Sequence, residues 1–399
     1  MKKWSVLLLL TLVFCAGAMQ VQPAWSQETI KVGVILPLTG AQAAFGEIEK
    51  NSFEMALEKI NAAGGINGKK LELLFEDDTG KPEVARSAAE KLINKDKVVL
   101  LGGGYGSSET FAIAGVAQQS GIPFLVNTGS ADKITEQGWD FVFRLNPPVS
   151  AYPMGLSSFL TEVVKPKTCA ILYEDSAFGT SGSKDFAEKA ESLGIKVLLN
   201  EGYSKGGVDF KPLLVKVKEA KPDLVYMISY VMDAALLMNQ SKELRIMPKL
   251  FVGGAAGFTL PEFAKNAGKA ANMVFSATLW YQTLPYPGAT QYYDEYVKKF
   301  GKETEYHGAE AYAAGQVIAD ALKRSKSFAP KDVRDALAQT DMPTVFGPVK
   351  FIAYEKKTNQ NKLPTYLVQW IDGKLELVWP MNVASKPFVF PIDWEKVWK

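Results

Sequence analysis

Two neighbouring loops carry small polar residues where each follows an apolar run typical of a strand. Residues 98–101 lead into the glycine-rich segment 102–106, then Ser107 and Ser108, and residues 123–126 lead into Asn127-Thr128-Gly129-Ser130. In an open parallel sheet, ligands bind at the carboxyl ends of strands. Ser107 or Ser108 can cap the following helix and offer hydroxyl and main-chain N–H groups to an anion. This pattern predicts a carboxylate-binding loop, and for the first loop taken alone a serine-capped tight turn is the alternative.

The other motifs do not support catalysis or a bound cofactor. His307 is the only histidine and Cys169 the only cysteine after residue 26, too few for a typical zinc site of four Cys or His ligands. Neither serine-containing glycine segment, 106–109 or 179–183, completes the Gly-x-Ser-x-Gly turn of a serine hydrolase. The loop 104–109 lacks the third glycine of a dinucleotide-binding loop. We therefore expect no catalytic residue, metal ion or cofactor.

Five aromatic residues lie in or just past a turn, or at the start of a predicted helix. They are Phe45, Tyr105, Phe178, Tyr230 and Tyr312. Any one of them alone is more often a core residue than a ligand contact. Their shared placement at strand ends favours a small-molecule pocket, since such pockets are mostly apolar with a few fixed polar groups.

The elements that would position these residues alternate between strand and helix. Apolar runs and amphipathic stretches alternate from residue 30 to residue 126, and the alternation resumes at residue 154 and continues to about residue 279. The proline-containing segment 141–148 separates the two series, and we place the first crossing between lobes there. Three helices and several β segments close the chain. This pattern predicts an α/β protein with two parallel sheets.

The N-terminus and the charge balance predict an exported protein. Lys2 and Lys3, an apolar stretch over residues 6–18 and Ala24-Trp25-Ser26 form an export signal over residues 1–26. Phe14 before Cys15 favours release over lipid anchoring. The remaining chain has 43 basic and 43 acidic residues, which argues against nucleic acid as a partner. Cys169 is predicted to be a buried strand residue.

Several blocks of sequence, in order along the chain, resemble the leucine/isoleucine/valine-binding protein family. They are residues 30–40, residues 60–73, residues 121–138 and the segment Phe346-Gly347-Pro348-Val349-Lys350-Phe351. The resemblance implies a periplasmic, monomeric substrate-binding component of an ABC importer, with a membrane-embedded permease as partner. It implies two Rossmann-like lobes joined by a three-crossing hinge, which close on a ligand. The expected division is a signal peptide at 1–26, one lobe at 27–146 plus 280–343, and the other at 147–279 plus 344–399.

The resemblance also assigns ligand contacts. Serines after the third strand hold the ligand carboxylate in the family, and Ser107 and Ser108 match them. The other matching positions are Gly129 and Ser130 after the fourth strand, Phe45 in the first loop, Tyr312 on a late helix, and Phe178 and Tyr230 from the second lobe.

One departure from the family pattern bears on the ligand. Amino acid binders place an acidic residue after the strand 249–252, where it pairs with the ligand ammonium, and this chain has Gly253-Gly254-Ala255-Ala256-Gly257 there. A buried charge without a partner costs several kcal/mol. Either Asp233 replaces that acid and the protein binds leucine-like amino acids, or the ligand is a benzoate-like or branched carboxylic acid. A ligand sensor without transport and an enzyme are the alternative functions.

Overall fold

The computed structural model describes residues 29–399, so the predicted signal peptide lies outside the described residues. The strands of this part are β1 (Ile30–Leu36), β2 (Leu71–Asp77), β3 (Leu100–Gly103), β4 (Phe124–Val126), β5 (Val142–Arg144), β6 (Thr168–Glu174), β7 (Lys196–Tyr203), β8 (Leu224–Ile228), β9 (Leu250–Gly253), β10 (Phe275–Thr278), β11 (Asp341–Thr344), β12 (Gly347–Lys350), β13 (Ile352–Tyr354), β14 (Lys357–Gln360), β15 (Tyr366–Ile371) and β16 (Lys374–Trp379).

Helices follow most of the parallel strands. They are α1 (Ala43–Ala62), α2 (Pro82–Asn94), α3 (Ser107–Ser120), α4 (Tyr152–Phe159), α5 (Ala177–Ser192), α6 (Lys211–Ala220), α7 (Val231–Glu243), α8 (Pro261–Ala267), α9 (Ala289–Phe300), α10 (Tyr306–Arg324), α11 (Pro330–Ala338) and α12 (Trp394–Val397). Within residues 29–399, no helix is both long enough and apolar enough to cross a membrane.

The strands form two seven-stranded sheets with related topology. The first has the order β13-β14-β5-β4-β3-β1-β2 and the second the order β16-β15-β10-β9-β8-β6-β7. In each sheet, the five strands that come first in the chain are parallel and lie in the order 2-1-3-4-5. In sheets of this order, ligands bind where the strand order reverses, beside the first and third strands. The predicted α/β fold with two parallel-dominated sheets is confirmed.

Apolar residues on both faces explain why the central strands are parallel and buried. In β1, side chains of alternating direction enter two different cores: Val32 and Val34 pack with α1 and α10, and Ile35 packs with α2 and α3. A parallel strand covered by helices on both faces reads as a nearly continuous apolar run, as β1 and β8 do. Cys169 in β6 is a buried free cysteine, as predicted.

The chain passes between the two sheets three times. The passages lie between β5 and β6, between β10 and α9, and between β14 and β15. The sequence placed residues 344–399 in the second lobe, whereas β13 and β14 join the first sheet through the pairing of Gln360 with Arg144. The Gln360 side chain holds this junction, because it accepts from Arg144 Nε and donates to Asn146 O at 2.7 Å. The third crossing therefore lies at residues 361–365.

Candidate functional site

A small cavity lies between the two sheets, at the carboxyl ends of their strands. Its free volume is about 20 Å³, far below the roughly 300–1,000 Å³ usual for ligand pockets. It is lined by Tyr105, Ser107, Thr128, Ser130, Tyr152, Phe178, Tyr230, Ala256, Tyr306 and His307. A larger groove lies near the C-terminus between Val164 and Trp394, away from these strand ends. The cavity matches the position expected for a ligand in this topology.

Ser107 gives the cavity its polar end. It is the first residue of α3 and follows a turn in which Gly103 has a φ of 97°; a Cβ there would overlap the Ile35 carbonyl oxygen. Ser107 Oγ accepts from the N–H groups of Ser130 (3.2 Å) and Ala131 (3.1 Å). Those two bonds use both lone pairs of the oxygen, so the hydroxyl hydrogen is still available for a hydrogen bond to another acceptor. A helix N-terminus with a hydroxyl donor suits a carboxylate.

Arg144 supports this loop from behind and is fully buried. Its guanidinium donates to Ala131 O at 2.8 Å, Gly129 O at 3.3 Å and Thr135 Oγ1 at 3.0 Å, and also to Gln360 Oε1. Burial lowers the pKa of Arg144 to about 10, which leaves it charged at neutral pH. Arg144 was not predicted from the sequence, although an arginine inside the apolar run 141–145 was an available signal.

Aromatic rings form most of the remaining wall. Tyr105 from the first lobe faces Tyr230 from the second with ring centroids 5.9 Å apart, and Phe178 lies 5.7 Å from Tyr230. Tyr152 stands 6.5 Å from Phe178. Three of the five aromatic residues named from the sequence therefore line the cavity.

The other two aromatic residues lie elsewhere. Phe45 is fully buried and stacks behind the wall, 4.6 Å from the Tyr105 ring and 4.8 Å from the His307 ring. Tyr312 is outside the cavity lining and packs against Tyr292 at 4.9 Å. Phe45 thus supports Tyr105 and His307 rather than lining the cavity itself.

Two other predicted positions, Gly129 and Ser108, lie beside the cavity and not in its lining. A Cβ on Gly129 would overlap the Thr110 side chain, so the missing side chain lets this loop pack against α3. Ser108 Oγ accepts from the Ala177 N–H at 3.2 Å. Because Ala177 begins α5, Ser108 joins the two lobes.

On the other side of the cavity, four residues join the lobes. Tyr306 OH accepts from the Ala256 N–H at 2.8 Å, and Thr259 Oγ1 donates to Glu305 Oε2 at 3.1 Å. We call Ala256, Tyr306, Thr259 and Glu305 the cleft latch. With the lobes bonded on two sides of a small cavity, the structure is that of a closed cleft.

No Asp, Glu, Lys or Arg side chain lines this cavity within the described part of the chain. The segment 253–257, where the family resemblance called for an acid, contributes Ala256. Asp233 is absent from the lining, and its Oδ2 accepts from the Gly206 N–H at 3.1 Å. A ligand ammonium would therefore meet hydroxyl groups, ring faces and carbonyl groups, with no carboxylate in direct contact.

Five lining residues were not identified from the sequence: Thr128, Tyr152, Ala256, Tyr306 and His307. Thr128 lies between two residues of the loop already singled out. Tyr306 and His307 begin α10, where Glu305 caps the helix by accepting from the His307 N–H at 3.1 Å. A capping residue followed by two aromatic rings at a helix start was a usable signal.

Two buried acids, Glu49 and Glu310, lie behind Thr128. Thr128 Oγ1 is 2.9 Å from Glu49 Oε1 and 3.0 Å from Glu310 Oε2, and Asn127 Nδ2 donates to Glu49 Oε2 at 2.7 Å. Loss of hydration on burial raises the pKa of Glu49 to about 8 and raises the pKa of Glu310 well above its ordinary value.

Comparison with known proteins agrees with this architecture. A family model described as periplasmic binding protein matches residues 29–374. The chain is 30% identical to Leu/Ile/Val-binding protein homolog 8 of Brucella melitensis, over 89% of this chain and 91% of that protein.

Two solved structures are also similar. The branched-chain amino acid transporter substrate binding protein LivJ of Streptococcus pneumoniae, in complex with isoleucine, is 27% identical with a TM-score of 0.79, covering 87% of this chain and 98% of that one. An ABC transporter solute binding protein of Rhodopseudomonas palustris, in complex with 3,4-dihydroxy benzoic acid, is 22% identical with a TM-score of 0.76, covering 87% and 95%. The second likeness is one of fold.

Proposed function

Because the chain belongs to the periplasmic binding protein family, we propose that it is the substrate-binding component of an ABC importer and captures a small carboxylate with an apolar or aromatic body. The observation that carries this proposal is the composition of the cavity. A serine at a helix N-terminus offers donors at one end, aromatic rings form the wall, and none of the lining residues within 29–399 is an acid. The partners are the ligand and a membrane-embedded permease.

The ligands of the similar proteins support a carboxylate group on the ligand of this chain. They do not determine whether the rest of that ligand is aliphatic or aromatic. Isoleucine and 3,4-dihydroxy benzoic acid, bound by the two solved relatives, share a carboxylate and differ in the ammonium group. In this chain Asp233 is bonded to Gly206 and lies outside the lining. That favours an acid without an ammonium group, and a leucine-like amino acid is the second candidate because the curated relatives are named Leu/Ile/Val-binding homologs.

A ligand screen separates the two candidates. We expect benzoate, hydroxybenzoates or short branched acids to raise the melting temperature, and leucine, isoleucine, valine and phenylalanine to raise it little, because a buried ammonium without a counter-charge costs several kcal/mol. Calorimetry then gives the dissociation constants. Leucine binding tighter than about 1 µM that is lost in Asp233→Ala would overturn the preference for a non-amino acid. Glu243→Ala, an exposed acid at the end of α7, is the matched control.

Closure makes a second, independent prediction. The contacts on both sides of the cavity join the lobes only in the closed form, so we expect the ligand to shift an open population towards the closed one. Small-angle X-ray scattering should show a smaller radius of gyration when the tightest ligand of the screen is saturating. A compound from the screen that does not bind serves as the control. An identical scattering curve with and without a tightly bound ligand would contradict closure on binding.

A further inference from the structure

The hydroxyl of Thr128 stands at the centre of a buried acidic cluster next to the cavity. Three polar atoms surround Thr128 Oγ1: Glu49 Oε1 at 2.9 Å, Glu310 Oε2 at 3.0 Å and Asn127 Nδ2 at 2.8 Å. Glu49 and Glu310 are completely buried, and Thr128 itself lines the cavity. The protonation of this cluster therefore determines the charge directly behind the ligand.

Counting hydrogens shows that one of the two carboxyl groups holds a proton. A threonine hydroxyl has one hydrogen and two lone pairs. The Asn127 amide donates to one lone pair, and the hydroxyl hydrogen points to a single carboxyl oxygen. The second carboxyl, also at hydrogen-bond distance, must then donate to the remaining lone pair. If both carboxyls were ionised, one carboxylate oxygen would face a lone pair of Thr128 Oγ1 with no hydrogen between the two oxygens, and this contact would be repulsive.

The partners of the two acids identify Glu310 as the carboxyl that keeps its proton. Both oxygens of Glu49 have partners, because one accepts from Asn127 and the other contacts Thr128, so this carboxyl can ionise without leaving an oxygen unbonded. Glu310 contacts Thr128 through Oε2, and its buried Oε1 has no hydrogen-bond partner among the described residues. A buried carboxylate with an unbonded oxygen is costly, whereas a neutral carboxyl tolerates this position better.

The neighbouring titratable groups also favour the neutral form. Those acting on the pair from adjacent elements are acids and phenols, namely Glu305, Asp78, Tyr105, Tyr152 and Tyr306. His307 on the same helix is bonded through Nδ1 to Glu305 Oε1 at 2.7 Å. Burial raises the pKa of Glu310 well above its ordinary value and the pKa of Glu49 to about 8, so Glu49 is the first of the two to ionise as the pH rises.

We infer that Glu310 is a protonated positioning residue that donates to Thr128 and prevents a second negative charge from forming behind the bound carboxylate. Loss of this proton turns the base of the cavity repulsive to an anion, so Glu310 sets the upper pH limit of ligand capture. The inference about capture rests on the proposed carboxylate ligand. The protonation state of Glu310 does not, and it can be tested without any ligand.

The ligand-free test combines infrared spectroscopy with unfolding. At pH 7, the spectrum should contain the C=O stretching band of protonated carboxyls, to which Glu49 also contributes because its pKa is about 8. Glu310→Gln should reduce the intensity of this band, and the exposed control Glu47→Gln should leave it unchanged. A carboxyl whose pKa is raised in the folded protein stabilises it below the unfolded value of 4.5, and that stabilisation is lost as the pH rises towards the folded pKa. Urea unfolding between pH 5 and pH 9 should therefore show a smaller pH dependence in Glu310→Gln than in the wild type.

The capture test follows affinity against pH. Benzoate and leucine are titrated calorimetrically into wild type, Glu310→Gln and Glu310→Leu, from pH 6.5 to pH 9.5. We expect the wild type to lose at least tenfold in affinity for the probe it binds over this range. Glu310→Gln, whose amide can still donate to Thr128 and cannot ionise, should lose less affinity than the wild type, and the loss that remains is the part due to Glu49, which ionises in both proteins. Glu310→Leu, which has no donor, should bind more weakly at every pH.

The outcomes separate the protonation of Glu310 from its role in ligand capture. A carboxyl band as intense in Glu310→Gln as in the wild type, or equal pH dependence of unfolding in the two proteins, would overturn the assignment of the proton to Glu310. A pH-dependent loss of affinity as large in Glu310→Gln as in the wild type would overturn its role in capture. If Glu310→Gln abolishes leucine binding at pH 6.5, the residue is the ionised partner of an ammonium, and the inference is wrong. If neither probe binds, the proposed ligand class and the capture role fail together, and the infrared and unfolding results still decide the protonation of Glu310.

Discussion

Replacing Ser107 with alanine is expected to weaken binding of the proposed carboxylate ligand at least tenfold. Ser107 retains a hydroxyl hydrogen at the N-terminus of α3, and a hydrogen bond to a charged group contributes about 1.5–3 kcal/mol. The same change leaves the N–H groups of Ser130 and Ala131 without their acceptor, so unfolding free energy should fall by about 1–3 kcal/mol. Calorimetry with the best ligand of the screen, at a temperature where the variant is folded, measures the first effect and urea unfolding the second.

Two control variants sharpen this experiment. Ser120→Ala changes an exposed serine at the end of the same helix and should alter neither quantity. Ser108→Ala removes the acceptor of the Ala177 N–H and should affect the stability of the closed form more than that of the separate lobes. Unchanged affinity in Ser107→Ala would mean that the carboxylate binds elsewhere in the cavity.

The largest loss of stability is expected for Arg144→Met. The guanidinium is fully buried and satisfies acceptors in the 129–135 loop and on Gln360, so its removal leaves several buried oxygens without donors. Unfolding free energy should fall by about 3 kcal/mol or more. Urea unfolding measures this loss. Ligand affinity should fall as well, because the same loop positions Ser130 and the N–H groups that bind Ser107.

The matched control for Arg144 is an exposed arginine. Arg86→Met, on the surface of α2, should change unfolding free energy by less than about 0.5 kcal/mol. Arg144→Lys keeps the charge and loses the planar arrangement of donors, so its stability should lie between those of the wild type and Arg144→Met. A loss in Arg144→Met no greater than that of Arg86→Met would show that water replaces the missing donors.

The sequence predicted the parts of the site that follow from strand ends. Ser107 and Tyr105 follow β3, Ser130 follows β4 and Tyr230 follows β8, and the alternation of strands and helices brings all four to one cavity. Phe178, in the first turn of α5, reaches the same cavity. Residues close to the end of a parallel strand have little freedom to be elsewhere.

Helix rotation explains why Tyr312 could not be placed from the sequence. Tyr306 lines the cavity, and six residues of a helix with 3.6 residues per turn rotate by about 240°. Tyr312 therefore points to another side of α10, where it meets Tyr292. Matching a position to the family pattern identifies the helix on which the residue lies. It does not determine which face of that helix lines the cavity.

Ion pairs between residues far apart in the chain could not be predicted from the sequence for a different reason. The lysine of β14, Lys357, reads as a surface residue, and yet its side chain is buried with its ammonium 2.7 Å from Asp132 and 3.1 Å from Glu136. These partners are more than 200 positions away in the chain. No pattern of neighbouring residues predicts such a distant pairing. The sequence therefore gave no reason to place β13 and β14 in the first lobe, and they were assigned to the second.

The cleft latch has a consequence for the timing of release. Its bonds pair Ala256 with Tyr306 and Thr259 with Glu305 across the two lobes, so a ligand in the closed cavity cannot leave until both have separated. They are absent from an open cleft, so they leave the association rate unchanged and slow dissociation. Residence time therefore depends partly on residues other than the serines and rings that we propose to contact the ligand. If the proposed permease pulled the lobes apart on this side, it would shorten the residence time without competing for the ligand.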